Sequence, residues 1–519
     1  MRKAIRTKAP RAQVVEVYST PAPIGGWNSR DALASMPPID AVKLVNWFPD
    51  TSDIVMRGGK ERYSTGITGT VDTLAVYNKM NGSSEMYAVT ENDVYNVSAS
   101  GAAIAQSVTI TGGRCQSINF GDGTSNWLIM VNGVDKPLYW DGSTWTSVDA
   151  ITSPALIGLT SSDIVHVSEY KGRLIFLEND SLSFWYLPSG AAGGELLEFD
   201  LSALCTRGGH LMWSSTWSFD SGDGPDDALV FMTSEGEVLV YRGTDPSTAS
   251  SWVLIGVYFI GKPLGRRSFV KYGGDLIAIV QDGAIPLSSA LQSDTIDPTF
   301  ALTDKIAPSF NESSRSYGDN FGWEALVFPT QKAMIFNIPI AEGGIHKQYV
   351  MNTVTKAWCE FDSWDGECFV EYNKDLYYGY EGGVMKAWTG ASDDGLEITS
   401  VGKTAFNYFG NTSQQKRVTL FRPLLLVNGS ITYYAGLDVD FSDAPISGTS
   451  TYTTPGSSLW GTAIWGTSLW SGGLQVVRQW LSPVNNVGYS ISSGLRVESS
   501  QFVVRWVSCD YAYERGGVL

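Results

Sequence analysis

Seven segments of this 519-residue chain share one pattern: an apolar strand, a short polar turn and a second apolar strand. They are EMYAVTENDVYNV (85–97), NWLIMVNGVDKPLYW (126–140), RLIFLENDSLSFWY (173–186), DALVFMTSEGEVLVY (227–241), DLIAIVQDGAIPLSS (275–289), EALVFPTQKAMIFNI (324–338) and DLYYGYEGGVMKAW (375–388). Their starts lie 41, 47, 54, 48, 49 and 51 residues apart. A period of about 40–50 residues is that of one propeller blade. Each hairpin turns at Asn, Asp or Gly, as tight antiparallel connections require. In several repeats a strand carrying Trp145, Trp252 or Trp358 follows the hairpin. A further strand such as CQSINF or CFVEY then precedes the next hairpin, making four strands per repeat.

Stacking such units radially covers both faces of each sheet and leaves short edges. The chain is therefore read as all-β: a β-propeller of six or seven four-stranded blades over 24–392, then a C-terminal antiparallel β-domain over 393–519. A basic N-terminal arm, 1–23, precedes them. The strands AVKLVNWF (41–48) and DIVMRGG (53–59) are expected to complete the blade at the other chain end and close the ring. Unrelated hairpins in a β-sandwich are the alternative. One polar interruption, 301–318, predicts a short helix with Pro308 near its start.

Beyond 393 the period stops and long alternating strands follow, among them KRVTLFRPLLLV (416–427) and SQFVVRWVSCDYAYE (500–514). Between them lies a Gly/Ser/Thr-rich insertion, 442–473, with Trp460, Trp465 and Trp470 at a five-residue spacing. That spacing fits neither a strand face nor a helix face. The insertion holds no Lys or Arg, which removes a base-stacking platform for nucleic acid. Glycan stacking stays open, and the preferred reading is packing, with the three tryptophans as candidate subunit-interface anchors.

Composition narrows the function. Hydrophobic residues make up 43% of the chain, enough for a real core, and the net charge is −17. Residues 1–11 carry five basic residues (Arg2, Lys3, Arg6, Lys8, Arg11) and no acid, so the rest carries −22. Such a body does not grip nucleic acid by neutralising phosphates, although duplex can pass along it. The arm is either a solvated tail or a segment docking on a neighbouring subunit or acidic partner. No apolar run predicts a secretory signal or membrane span. Five scattered cysteines and three histidines give no zinc spacing, so buried, reduced thiols and cytoplasmic folding are expected.

Catalytic motifs fail one by one. GVYFIGKP (256–263) matches a phosphate loop until Pro263 replaces the hydroxyl residue, and its interior favours a strand. YWDGSTW (139–145) has the wrong spacing for the Asp turns of sialidases and reads as an Asp-Gly hairpin turn. DVDFSD (438–443) and DSGDGPDD (220–227) lack calcium-loop spacing and read as solvated turns. No catalytic residue, metal site or cofactor is assigned and the chain is read as a non-enzyme, although two carboxylates suffice for a glycosidase.

Three segments in order carry a resemblance: GGWNSRDALASMPPIDAVKLVNWFP (25–49), LGRRSFVKYGGDLIAIVQDGAIPLS (264–288) and TAFNYFGNTSQQKRVTLFRPLLLVNG (404–429), the last followed by LDVDF and the W-G-T repeats. Together they resemble the tail nozzle, or tail tubular hub, proteins of short-tailed, podovirus-type bacteriophages. The resemblance implies a virion protein assembled in the host cytoplasm, six copies forming a ring below the portal and adaptor. Such a ring continues the DNA channel, retains packaged DNA and lets it pass on ejection without specific binding. The arm residues Arg2, Lys3, Arg6, Lys8 and Arg11 then face the adaptor above, and tail fibres or spikes are further partners. No gate residue is legible. The alternatives are a glycan-binding virion adhesin and a glycan-degrading tail protein on the same propeller.

Overall fold

The computed structural model describes residues 15–218, 227–290, 298–452, 474–484 and 486–518. The chain divides into two compact units. One comprises Gly58–Lys356 and Glu360–Gly395; the other comprises the N-terminal segment up to Arg57, Ala357–Cys359 and Leu396 onward.

The first unit is the propeller. Among the described residues its strands form seven blades and one separate two-stranded pair, Leu156–Ile157 with Gly194–Glu195. Blade 1 runs outward from Thr73–Asn78 through Ser84–Val89 and Asp93–Asn96 to Ile104–Thr109. Blade 2 is Gln116–Gly121, Asn126–Val131, Leu138–Trp140 and Trp145–Ser147. Blade 3 is Ile164–Tyr170, Arg173–Glu178, Ser183–Tyr186 and Leu197–Asp200, and blade 4 is Leu211–Trp217, Ala228–Thr233, Glu237–Gly243 and Trp252–Phe259. Blade 5 has three strands, Phe269–Tyr272, Asp275–Val280 and Gly283–Pro286. Blade 6 starts with Glu324–Phe328, Ala333–Pro339 and His346–Asn352, and Trp358–Phe361 is next in its sheet order.

In blades 1 to 5 the repeated hairpins are thus the strands next to the innermost one; in blade 6 the hairpin 324–338 itself begins with the innermost strand, and 375–388 is one continuous strand of blade 7. Strands such as CQSINF and CFVEY are innermost. These inner strands touch one another in sequence around a closed ring, with Cys368–Tyr372 returning to Thr73–Asn78. The middle strands are the most apolar because both faces meet neighbouring blades. Leu229, Val230, Phe231 and Met232 are all fully buried: Leu229 and Phe231 pack towards blade 3, Val230 and Met232 towards blade 5.

Ring closure differs in detail from the expectation. Blade 7 consists of Cys368–Tyr372, the long strand Asp375–Thr389 and the N-terminal strand Gly59–Thr70, with Gly101–Ala102 at its edge. The first half of Asp375–Thr389 pairs with Cys368–Tyr372 and the second half with Gly59–Thr70. An N-terminal strand does finish the last blade, but it is 59–70, not 41–48 or 53–59. Gly59 is required there: a Cβ on it would lie 1.9 Å from the carbonyl oxygen of Ser392.

Among the described residues blade 5 has no outer strand, and helices follow its third strand. Leu287–Ala290 is one turn, and Ala307–Tyr317 is the helix expected within 301–318. Pro308 sits in its first turn, where a missing N–H costs nothing. Asp141 makes the expected hairpin turn: its carboxylate accepts the N–H groups of Ser143 and Thr144, both at 2.7 Å, and Gly142 has φ +96°.

The second unit contains two sheets. In one, Gln414–Val427 pairs with Val504–Val518, and the sheet continues to Ile54–Met56 and Trp47–Pro49. In the other, Asp40–Val45, Ile398–Thr404, Ile491–Ser499, Ile431–Val439 and Thr449–Tyr452 are successive neighbours. Trp47 and Trp506, both fully buried, meet edge to face between them at 6.2 Å. Gly402 makes room, since a Cβ there would lie 2.9 Å from the Trp506 ring.

This corrects the expected boundaries. Residues 24–57 belong to the sandwich, not the propeller, and the arm ends earlier than 23: Val15–Pro21 is a strand paired with the chain end, from Val15 opposite Glu514 to Pro21 opposite Ser508. Its alternating pattern is that of a half-covered strand, but the partner lies almost the whole chain away. DVDFSD is corrected too. Asp438 is buried and binds Lys403, and Asp440 accepts the N–H groups of Tyr489 and Ser490, so these carboxylates hold the unit together.

Candidate functional site

All seven blades run in the same sense, so the residues just before each inner strand converge at one end of the propeller axis. Six blades place charge there: Asp72 before blade 1, Arg114 before blade 2, Asp163 before blade 3, Arg266 and Arg267 before blade 5, Glu324 at the start of blade 6 and Glu367 before blade 7. A polar cavity of about 700 Å³ opens among them, lined by Asp72, Glu91, Asp93, Arg114, Glu342 and Glu367. A second, of about 330 Å³, shares Arg114 and Asn132 with the first.

Arg267 is the centre of this end. Its guanidinium donates to the carbonyl of Asp72 at 3.0 Å, the hydroxyl of Thr73 at 2.6 Å and the carbonyl of Cys115 at 2.9 Å. One blade-5 side chain thereby ties the starts of blades 1 and 2. Arg114 binds the Glu342 carboxylate at 2.7 Å and lies over the Phe321 ring at 4.4 Å, while Arg267 lies 5.0 Å from that ring's centre. His346 and Glu367, both buried, approach to 3.4 Å.

Two carboxyls at this end hold their protons unusually well. Burial pushes Glu324 up to about 7, only partly offset by Arg267 and by the Phe369 N–H that it accepts. Arg267 comes within 3.7 Å of Glu324, which looks like an ion pair. Its N–H groups are already directed at two carbonyls and a hydroxyl, so it compensates little of the desolvation, and the raised value is the physically consistent one. Burial also raises Asp72, to about 6, against the opposing effects of Arg114 and Arg267. Only Asp72 of the two lines the cavity.

Glu324 makes the propeller pH-sensitive in a stated direction. Between about 4.5 and about 7 the folded chain keeps a proton that the unfolded chain has lost. Stability therefore falls as pH rises through that window, by up to about 3 kcal/mol, and levels above it. Glu324→Gln should remove this part of the slope and raise the melting temperature at pH 8 more than at pH 4.5. Calorimetric melts at the two pH values check it; equal gains at both would contradict it.

Among the described residues no group of three or more His, Cys, Asp or Glu side chains is placed to hold a metal ion. All five cysteines are free, and Cys115, Cys359, Cys368 and Cys509 are buried. Segment 256–263 contains the end of a strand, not a phosphate loop. No helix among the described residues is long and apolar enough to cross a membrane.

Trp460, Trp465, Trp470 and the arm residues Arg2, Lys3, Arg6, Lys8 and Arg11 lie outside the described residues. The axial residues did leave a signal. Glycine closely precedes charge where an inner strand starts in Gly113-Arg114, Gly265-Arg266-Arg267, Gly322-Trp323-Glu324 and Gly366-Glu367. It is legible only once the inner strands are aligned as equivalents.

No family model matches the chain, and no curated protein matches it. Among solved structures, it is similar to the extracellular domain of the putative hybrid two-component system BT3049 from B. thetaiotaomicron, at 9% identity and TM-score 0.41. That match covers 66% of this chain and 41% of the other, so this chain spans less than half of that relative's length. It is also similar to YCF48 bound to D1 peptide (10% identity, TM-score 0.35, 68% of this chain and 99% of that one). A glycoside hydrolase family 43 arabinoxylan arabinofuranohydrolase from Bacillus subtilis matches at 9% identity and TM-score 0.25, covering 91% and 95%. The fold is read from the chain's own sheets: it is an all-β protein with a β-propeller.

Proposed function

We propose that this chain is a structural virion protein, the ring-forming tail nozzle subunit of a short-tailed phage. One observation carries the reading. The first and third family-like segments come from opposite ends of the chain, yet both build the same sandwich, where Ala41 to Val45 pair with Thr404 to Val401. The second segment, 264–288, forms blade 5 and supplies Arg266 and Arg267. The likeness thus follows one architecture, a propeller inserted into a sandwich, not three unrelated stretches.

Charge supports the same reading. Six copies at −17 each total about −100, a wall that duplex DNA passes without being gripped. A glycan-cleaving role is less well supported, because of the two proton-holding carboxyls only Asp72 faces the cavity. In this reading the arm meets the adaptor and the Trp-rich insertion meets a neighbouring subunit.

Imaging and mass measurement test it. The purified chain, alone or with its adaptor, should form an axial ring of six times 56.4 kDa, about 340 kDa. Trp465→Ala should reduce the ring fraction severalfold without lowering the melting temperature. A chain that stays monomeric with adaptor present and takes no axial place in a particle would sink the reading.

A further inference from the structure

We propose that the 330 Å³ cavity at the axial end of the propeller binds a carboxylate-bearing sugar ring, such as a uronic or sialic acid, with Arg266 holding the carboxylate. The inference concerns the propeller alone and stands whether or not the chain is a tail nozzle.

Three arginines line this cavity, in a body that is otherwise strongly acidic. Two are committed: Arg114 to Glu342, and Arg267 to Asp72, Thr73 and Cys115. Arg266 is not. One of its terminal nitrogens donates to the carbonyls of Leu211 and Met212, each at 3.2 Å, and among the described residues no carboxylate is within ion-pairing distance. Burial pulls its pKa down, with only the field of Asp180 opposing. A half-buried guanidinium with unused donors and no counter-ion is a costly arrangement that an entering anion relieves.

The rest of the wall selects among anions. Gln116 and Asp319 line the cavity, and neither side chain has a hydrogen-bond or ionic partner among the described residues. Val165, Met212, Leu264 and Phe321 supply apolar surface. Inorganic phosphate brings more negative charge beside Asp319 than a single carboxylate does, and no carbon surface for the apolar wall. A hydroxylated carboxylate satisfies both: its hydroxyls donate to Asp319 and exchange hydrogen bonds with the Gln116 amide, while its ring carbons cover the apolar floor. The volume is at the small end for ligand cavities, about 300 Å³, which suits one ring and not a long chain.

The test is calorimetric and ligand-observed NMR titration of the full chain with glucuronate, N-acetylneuraminate, glucose and inorganic phosphate. Saturable binding of at least one sugar acid is expected, with glucose and phosphate at least about tenfold weaker. Arg266→Met should weaken the sugar acid at least about tenfold, and Gln116→Ala about threefold with an unchanged melting temperature. Should Arg266→Met fail to fold, Gln116→Ala decides. Binding of neither acid, glucose or phosphate binding as tightly as the acid, or unchanged affinity in the folded variants would overturn the proposal.

Discussion

Arg267→Met should destabilise the propeller by about 3–5 kcal/mol. The substitution removes three hydrogen bonds from a charged donor whose side chain is 14% exposed. It leaves the carbonyls of Asp72 and Cys115 short of a donor where water enters poorly. Arg267 reaches them from blade 5, so the loss loosens a link across the ring, not one within a blade. Urea unfolding followed by tryptophan fluorescence should show a lower midpoint at an unchanged slope. Arg267→Lys keeps the charge but not the planar fork, and should recover less than half of the loss. A change below about 1 kcal/mol for the Met variant would mean that the blades are held by their apolar faces alone.

In the sandwich the corresponding change is Lys403→Met, also expected to cost about 3–5 kcal/mol. Lys403 is 10% exposed and binds Asp438 at 2.8 Å, Asp443, and the carbonyl of Ala444 at 2.8 Å. Burial by itself would lower its pKa, yet Asp438 and Asp443 hold it above the ordinary lysine value. Without the ammonium, Asp438 is left as a buried charge, 7% exposed, with only the Ala444 N–H at 3.0 Å to satisfy it among the described residues. Asp438→Asn in the Lys403→Met background should therefore recover about 1–2 kcal/mol, because the cost lies in the orphaned charge more than in the lost pair. Thermal melts of the two variants decide this; a double variant less stable than the single one would refute the account.

These two positions also mark what local sequence reveals. Arg266 and Arg267 read as part of a family-like stretch and Asp438 as a solvated turn. Both readings missed the side chains' partners, which lie as far as 195 residues away in the chain for Arg267 and 35 for Asp438. The hairpins were legible for the opposite reason. A strand, an Asn, Asp or Gly turn and a second strand find their partners within about ten residues, and the sequence carries both the periodicity and the turn chemistry.

The repeat, the four-stranded blade with its tryptophan-bearing outer strand, the helix within 301–318, and the failure of the phosphate loop and the sialidase turn can all be read along the chain. Each depends on contacts between neighbours in the chain or on one residue's own backbone preference. That there are seven blades, that 59–70 closes the ring, and that 15–57 joins the chain's end in a sandwich emerges only in three dimensions. Only the tertiary structure gathers Asp72, Arg114, Arg267, Glu324 and Glu367 at one end of an axis. These are pairings across hundreds of residues, set by which apolar faces and charged groups meet once every blade has taken its place.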